Sequence, residues 1–183
     1  MFPIPHFDSL DRAHLSSAFP RIEEIARQFA AQVHAPGLAY GVVVEGQLIT
    51  SGAAGLQNIA HPTPASPTSV FRIASMSKSF TAMAIVKLRD DGQIQLDQPA
   101  QHYVPELSAL RYPTRDSAPI TVRHLLTMGA GFPQDDPWAD RQLGLPEPDF
   151  TALLGEGISF SNPPGWKYEY SNYGYAILGR IIT

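Results

Sequence analysis

Ser75 and Lys78 stand three residues apart in the run Phe71-Arg72-Ile73-Ala74-Ser75-Met76-Ser77-Lys78-Ser79-Phe80, where a short β-rich stretch gives way to a helical pattern. Three residues is close to one helical turn, so the hydroxyl and the amine face one side and the amine can reach the hydroxyl. A helix N-terminus is the positive end of the backbone dipole, which stabilises a developing alkoxide and disfavours an ammonium. Both effects suit Ser75 as a nucleophile and Lys78 as its base. Burial beside Phe80 and Met83 is expected to disfavour the charged lysine further and leave an amine able to accept a proton. A Ser three residues before a Lys is a weak signal by itself. Its weight comes from the strand-to-helix position and from a lysine in an apolar run, which needs a reason to be there. Ser77 reads as a first-turn hydroxyl that helps the cap.

A second group, Tyr170-Ser171-Asn172, follows Pro163-Pro164-Gly165-Trp166-Lys167-Tyr168-Glu169 and precedes another helical pattern. A phenol there can relay a proton to a leaving group, and an amide can both donate and accept hydrogen bonds to order the lysine and a substrate. A tyrosine packing its ring and an asparagine capping a helix would account for the same two residues.

These residues must be positioned by a framework the pattern outlines. Pro20 to Ala30 places apolar residues at helical spacing, with Gly37 beyond. Leu38 to Val44 and Gln47 to Gly55 are β-rich runs joined by Glu45-Gly46, the clearest hairpin in the chain. His61 to Thr68, with three prolines, reads as an irregular loop, and Val70 to Ile73 as a short strand. From Ser75 to Asp91 the pattern changes period, and Phe80 to Val86 is apolar nearly all round, which predicts a buried central helix. Further helices are expected from about Thr121 and from about Ser171. The final residues, Gly179 to Thr183, stop within a helical pattern with no capping glycine, and a lone hairpin is little sheet to stand alone, so a fragment or one piece of a split protein is expected.

The 183 residues are 44% hydrophobic, enough for one globular domain with a packed core. Thirteen Lys plus Arg against seventeen Asp plus Glu give a net charge of −4 with no basic block, so nucleic acid is not an expected partner. The absence of cysteine excludes disulfides, thiolate metal sites and a cysteine nucleophile, leaving oxygen and nitrogen groups for any chemistry. Asp135, Asp136 and Asp140 surround Trp138 without a histidine at ligand spacing, so no metal site is expected. Phe132 to Leu145 instead reads as either a surface loop or a flap beside the pocket, with Trp138 or Trp166 as candidate substrate contacts, and His124 reads as a hydrogen-bonding residue at a helix start. The N-terminus has neither the cationic stretch nor the apolar run of a secretory leader, and no segment approaches membrane-spanning length. A soluble chain is expected, its localisation open with the cytoplasm favoured.

Taken together, the Ser-x-x-Lys motif at Ser75 and the Tyr-x-Asn motif at Tyr170 resemble the serine β-lactamase and penicillin-binding-protein superfamily, in the branch of class C β-lactamases, DD-carboxypeptidases, D-aminopeptidases and related esterases. Ile120 to Met128 looks like that family's helix and loop bordering the site, and Leu96-Asp97-Gln98-Pro99 like its connecting segment. The resemblance implies an α+β fold, an antiparallel sheet flanked by helices with a mostly helical region, as a single incomplete domain over residues 1–183 whose C-terminal strands are missing. It implies an acyl-enzyme on Ser75, proton transfer by Lys78 and Tyr170, and Asn172 as a substrate- and lysine-positioning residue. Half of an oxyanion hole would come from the Ser75 amide, and no cofactor is required. Two departures stand out. The family's third motif, a Lys-Thr-Gly or His-x-Gly triad on a late strand, is absent after Tyr170, so low activity of these residues alone is expected, with a second chain or a missing C-terminal segment completing the site. Gly129-Ala130-Gly131 replaces a Ser-Gly-containing turn. The substrate class stays open between a D-amino-acid peptide, a β-lactam and an ester, with a catalytically silent binding or scaffolding relative of the same fold as the alternative function.

Overall fold

Glu45 and Gly46 both take positive φ, 50° and 76°, which is the geometry of a two-residue turn whose twist matches the strands it joins. The computed structural model describes residues 12–134, 142 and 144–183, and around this turn it forms the hairpin of β1 (Gly37–Val44) and β2 (Gln47–Asn58). The pairing is antiparallel, Leu38 opposite Ala54 and Val42 opposite Thr50, with a register shift at Val42/Val43 that skips Ile49. Residues 63–64, expected to be irregular, form a two-residue β3 (Thr63–Pro64) against β2, giving a three-stranded sheet in the order β1-β2-β3. Two helices precede it, α1 (Arg12–Ser17) and α2 (Phe19–Gln32), the latter with Pro20 in its first turn where the missing N–H costs nothing. Residues up to Arg72 and from Ile73 onward are two compact units. In the first, Ala30 is the one buried side chain among the described residues, and Ile25 and Phe29 on α2 and Val33 just after it are about half exposed.

The second unit holds the core. A 3₁₀ turn, Ala74–Met76, leads into α3 (Ser77–Asp90). Two further 3₁₀ segments, Ala100–His102 and Pro105–Ala109, precede α4 (Val122–Leu126), α5 (Glu147–Glu156) and α6 (Asn172–Ile182). Ile85, Val104, Leu107, Ile120, Leu125, Phe132, Leu154, Tyr173, Ile177 and Leu178 pack as one cluster. Edge-to-face contact of Phe132 with Tyr173, at 5.3 Å between centroids, and of Phe150 with Tyr173, at 6.3 Å, ties α5 and α6 into it. Arg123 grips Asp97 with two hydrogen bonds of 2.7 and 2.9 Å, and the Ala100 N–H donates to the Ile120 carbonyl at 2.8 Å, so the segment after α3 is laced to α4.

Two expectations are corrected here. Val70 to Ile73 is not a strand: among the described residues no strand pairs with it, and Val70 is 97% exposed. β-Branched composition suits a pleated surface but supplies no partner for the backbone. Nor is α3 a buried central helix. Only Ile85 on it is buried, while Met76, just before it, and Phe80 and Met83 on it are 64%, 64% and 66% exposed. The described residues cover one side of this helix and leave the other apolar side open.

Candidate active site

The site is assembled from the turn before α3 and the start of α6. Ala74 has φ 46°, a left-handed backbone that costs an alanine about 1 kcal/mol. The Met76 N–H closes the turn on the Ile73 carbonyl at 3.1 Å. Ser75 therefore lies in this 3₁₀ turn, two residues before the α-helix rather than inside it, and is exposed. α3 begins without any side-chain cap hydrogen bond, so the capping part expected of Ser77 is not taken.

At the other limb, the Ser171 hydroxyl caps α6 by accepting from the Gly174 N–H at 3.0 Å. Because Ser171 does the capping, the Asn172 amide is available for other partners. It is 8% exposed, and its Oδ1 accepts from Lys78 Nζ at 2.6 Å and from the Tyr170 hydroxyl at 3.2 Å. Lys78 Nζ also donates to Tyr170 Oη at 2.7 Å and to Ser75 Oγ at 3.2 Å. Ser75 Oγ and Tyr170 Oη are themselves hydrogen-bonded at 2.5 Å.

All four residues singled out by spacing, Ser75, Lys78, Tyr170 and Asn172, thus share one hydrogen-bond network. Phe80 and Met83 do not bury the lysine as expected, being exposed themselves; Lys78 is half-buried and held by its three acceptors.

Chemically, the arrangement sets an accessible hydroxyl within hydrogen-bond reach of an amine and a phenol, two groups able to take part in proton transfer, with the amide oxygen accepting from both. Neighbouring tyrosines are spoken for. Burial pushes the Tyr173 phenol up to about 12 and places it in the core. Tyr175, whose ring is 5.7 Å from Lys78 Nζ, donates its hydroxyl to the Leu126 carbonyl at 3.1 Å, and burial first, then the phenols of Tyr168 and Tyr170, raise its pKa.

The segment before Tyr170 is held by a loop that sequence reasoning did not credit. Gly129 accepts from the Gly165 N–H at 2.8 Å, and the Gly131 carbonyl accepts from the N–H groups of Ser161 at 2.8 Å and Asn162 at 3.3 Å. Gly131 has φ 82°, and a Cβ there would lie 2.1 Å from the Asn162 carbonyl oxygen, so the Gly-Ala-Gly run is a backbone-contact surface. Met128 is in the left-handed region too, at φ 58°. Glu169 accepts from the Asn162 amide at 2.7 Å and pairs with Lys167 at 3.1 Å; these partners, Lys167 foremost, hold its carboxyl below the usual carboxylate range. His124 completes a capping box with Thr121: each backbone N–H donates to the other's side chain at 3.2 Å. The Asp135, Asp136, Asp140 and Trp138 cluster lies outside the described residues, as does most of the expected flap, and Trp166 is 74% exposed. Among the described residues no group of acidic or histidine side chains is placed to hold a metal, and no helix is long and apolar enough to cross a membrane.

Fold and motif geometry agree with what comparison with known proteins finds. The pattern of the Beta-lactamase family matches residues 22–183, and the chain belongs to that family, which is of the serine-hydrolase type. Protein flp of Staphylococcus aureus (strain N315) is 31% identical over 167 residues, covering 88% of this chain and 32% of its own length. The octameric penicillin-binding protein homologue from Pyrococcus abyssi superposes with a TM-score of 0.73 at 28% identity, over 89% of this chain and 38% of that one. A class C β-lactamase superposes at 0.73 with 24% identity, over 91% and 44%, a likeness of fold. The β-lactamase and transpeptidase-like α+β fold expected from the motifs is therefore the fold observed. The chain spans about a third of the length of the curated relatives it matches.

Proposed function

We propose that this chain carries the nucleophile and proton-transfer groups of a serine hydrolase that acts through an acyl-enzyme on an amide or ester, in the range of D-amino-acid peptides, β-lactams and small esters. The observation that carries the reading is the exposed Ser75 Oγ within hydrogen-bond reach of both Lys78 Nζ and Tyr170 Oη. In acylation Ser75 Oγ adds to the carbonyl carbon as its proton passes to Lys78 or Tyr170. The tetrahedral intermediate collapses, the bond to the leaving nitrogen or oxygen breaks, and the leaving group takes that proton. Water then adds to the ester carbonyl and Ser75 regains its proton as the acid departs. The Ser75 N–H is assigned half of the oxyanion stabilisation, and Asn172 the orientation of the lysine and of a substrate polar group. This scheme uses side chains, a backbone amide and water, and calls for no cofactor.

Intact-mass spectrometry after incubation with a fluorophosphonate, and separately with a penicillin, tests the reading. A single adduct on the wild-type chain that is absent from Ser75→Ala supports it. A folded chain that takes up neither reagent, both as these 183 residues and in a longer form carrying the third motif, or a Ser75→Ala variant that takes them up equally, removes the hydrolase reading and leaves a binding or scaffolding role for the fold.

A further inference from the structure

We propose that Met128 is a positioning residue for Tyr170, clamping the backbone on both sides of that tyrosine; the catalytic part of this inference rests on the function proposed above. The Met128 carbonyl accepts from the Glu169 N–H at 2.8 Å, and its thioether sulfur accepts from the Ser171 N–H at 3.3 Å. Residues 169 and 171 flank Tyr170, so one residue fixes the chain immediately before and after the phenol. Ser171 is also the cap of α6, whose first residue is Asn172, and the same clamp therefore sets where that amide begins. Met128 is 9% exposed and holds φ 58°, and its own N–H donates to the Leu125 carbonyl at 3.3 Å, which anchors the clamp to α4. A sulfur acceptor is what distinguishes methionine here, since leucine fills similar space and accepts nothing.

Met128→Leu and Met128→Gln separate packing from hydrogen bonding, because glutamine restores a side-chain acceptor of comparable reach. Two readouts are taken on each: amide hydrogen exchange at Ser171, and the rate constant and affinity for fluorophosphonate acylation of Ser75. The expected result is that Met128→Leu loses about 10-fold in Ser171 protection and about 10-fold in the acylation rate constant with probe affinity unchanged, a misplacement effect. Met128→Gln recovers a measurable part of both. Ser171 protection and acylation in Met128→Leu within twofold of wild type would overturn the proposal. So would equal losses in both variants accompanied by a lowered melting temperature, which would mark a purely structural role. Failure of the wild-type chain to acylate would count against the proposed function, and the Ser171 exchange comparison would still decide the clamp.

Discussion

Gly131→Ala is the substitution whose consequence the structure fixes most tightly. Its new Cβ would lie 2.1 Å from the Asn162 carbonyl oxygen, 3.1 Å from the Asn162 carbonyl carbon and 3.3 Å from the Pro163 carbonyl carbon, against 3.4 Å for ordinary contact. All three atoms belong to backbone, so relief requires the two strands of chain to part by more than about 1 Å, a displacement that disrupts hydrogen bonds of normal length. The Gly131 carbonyl accepts from both Ser161 and Asn162 across that gap, and each bond contributes about 1 kcal/mol. Alanine at φ 82° adds about 1 kcal/mol of backbone strain. The sum is a loss of about 3 kcal/mol, a large fraction of the roughly 5–15 kcal/mol that holds a domain together. With a urea dependence of about 2 kcal/mol per molar, the unfolding midpoint should fall by about 1.5 M. Gly155→Ala serves as the control. It lies in α5 with nothing within 4 Å of its would-be Cβ, and should stabilise by about 0.5 kcal/mol. Chemical denaturation followed by circular dichroism reads both. If Gly131→Ala moved the midpoint no further than Gly155→Ala does, the account of this loop as a rigid backbone contact would be wrong.

Two more perturbations probe the site and its support. Tyr170→Phe removes the hydroxyl that bonds Ser75, Lys78 and Asn172 while keeping the ring, and should slow fluorophosphonate acylation by about 100-fold or more with little change in melting temperature; an unchanged adduct rate would take the phenol out of the proton path. His124 is held neutral chiefly by burial, and Arg123 adds to this while Asp97 opposes it, so its folded pKa lies below the ordinary value. The unfolded chain then binds the proton first as pH falls, and stability should decline from about pH 6.5 downward until the folded pKa is reached. His124→Gln should flatten that part of the stability-against-pH curve, measured by thermal melts across the range, and a slope that persists in the variant would assign it elsewhere.

The hairpin, α2, α4 and α6 were legible because their signals are local: a Gly-containing two-residue turn between β-rich runs, apolar spacing, and Thr121 and Ser171 at helix starts. Ser75 and Lys78 stood out for a different reason, their three-residue spacing at a helix start, and Tyr170 and Asn172 through the resemblance of their motif to a known family. What was illegible depends on partners distant in the chain. Val70 to Ile73 has strand composition, but the described residues put no strand beside it, and the apolar character of α3 predicts a cover that they do not provide either. α5 was overlooked although Pro146 and the acids Glu147 and Asp149 mark its start. Met128 gave no usable signal, because a methionine after a helix reads as core filling and a left-handed backbone at a residue other than glycine follows from tertiary packing.

Ser75 and Tyr170 are hydrogen-bonded across 95 residues of sequence. On the ribosome, at roughly 5–20 residues per second, about 5–20 s separate the synthesis of one from that of the other. Throughout that interval the serine and its lysine exist without the phenol. Reactivity toward a serine-directed probe would therefore work as a clock for translation-coupled folding, silent until Tyr170 and α6 have emerged.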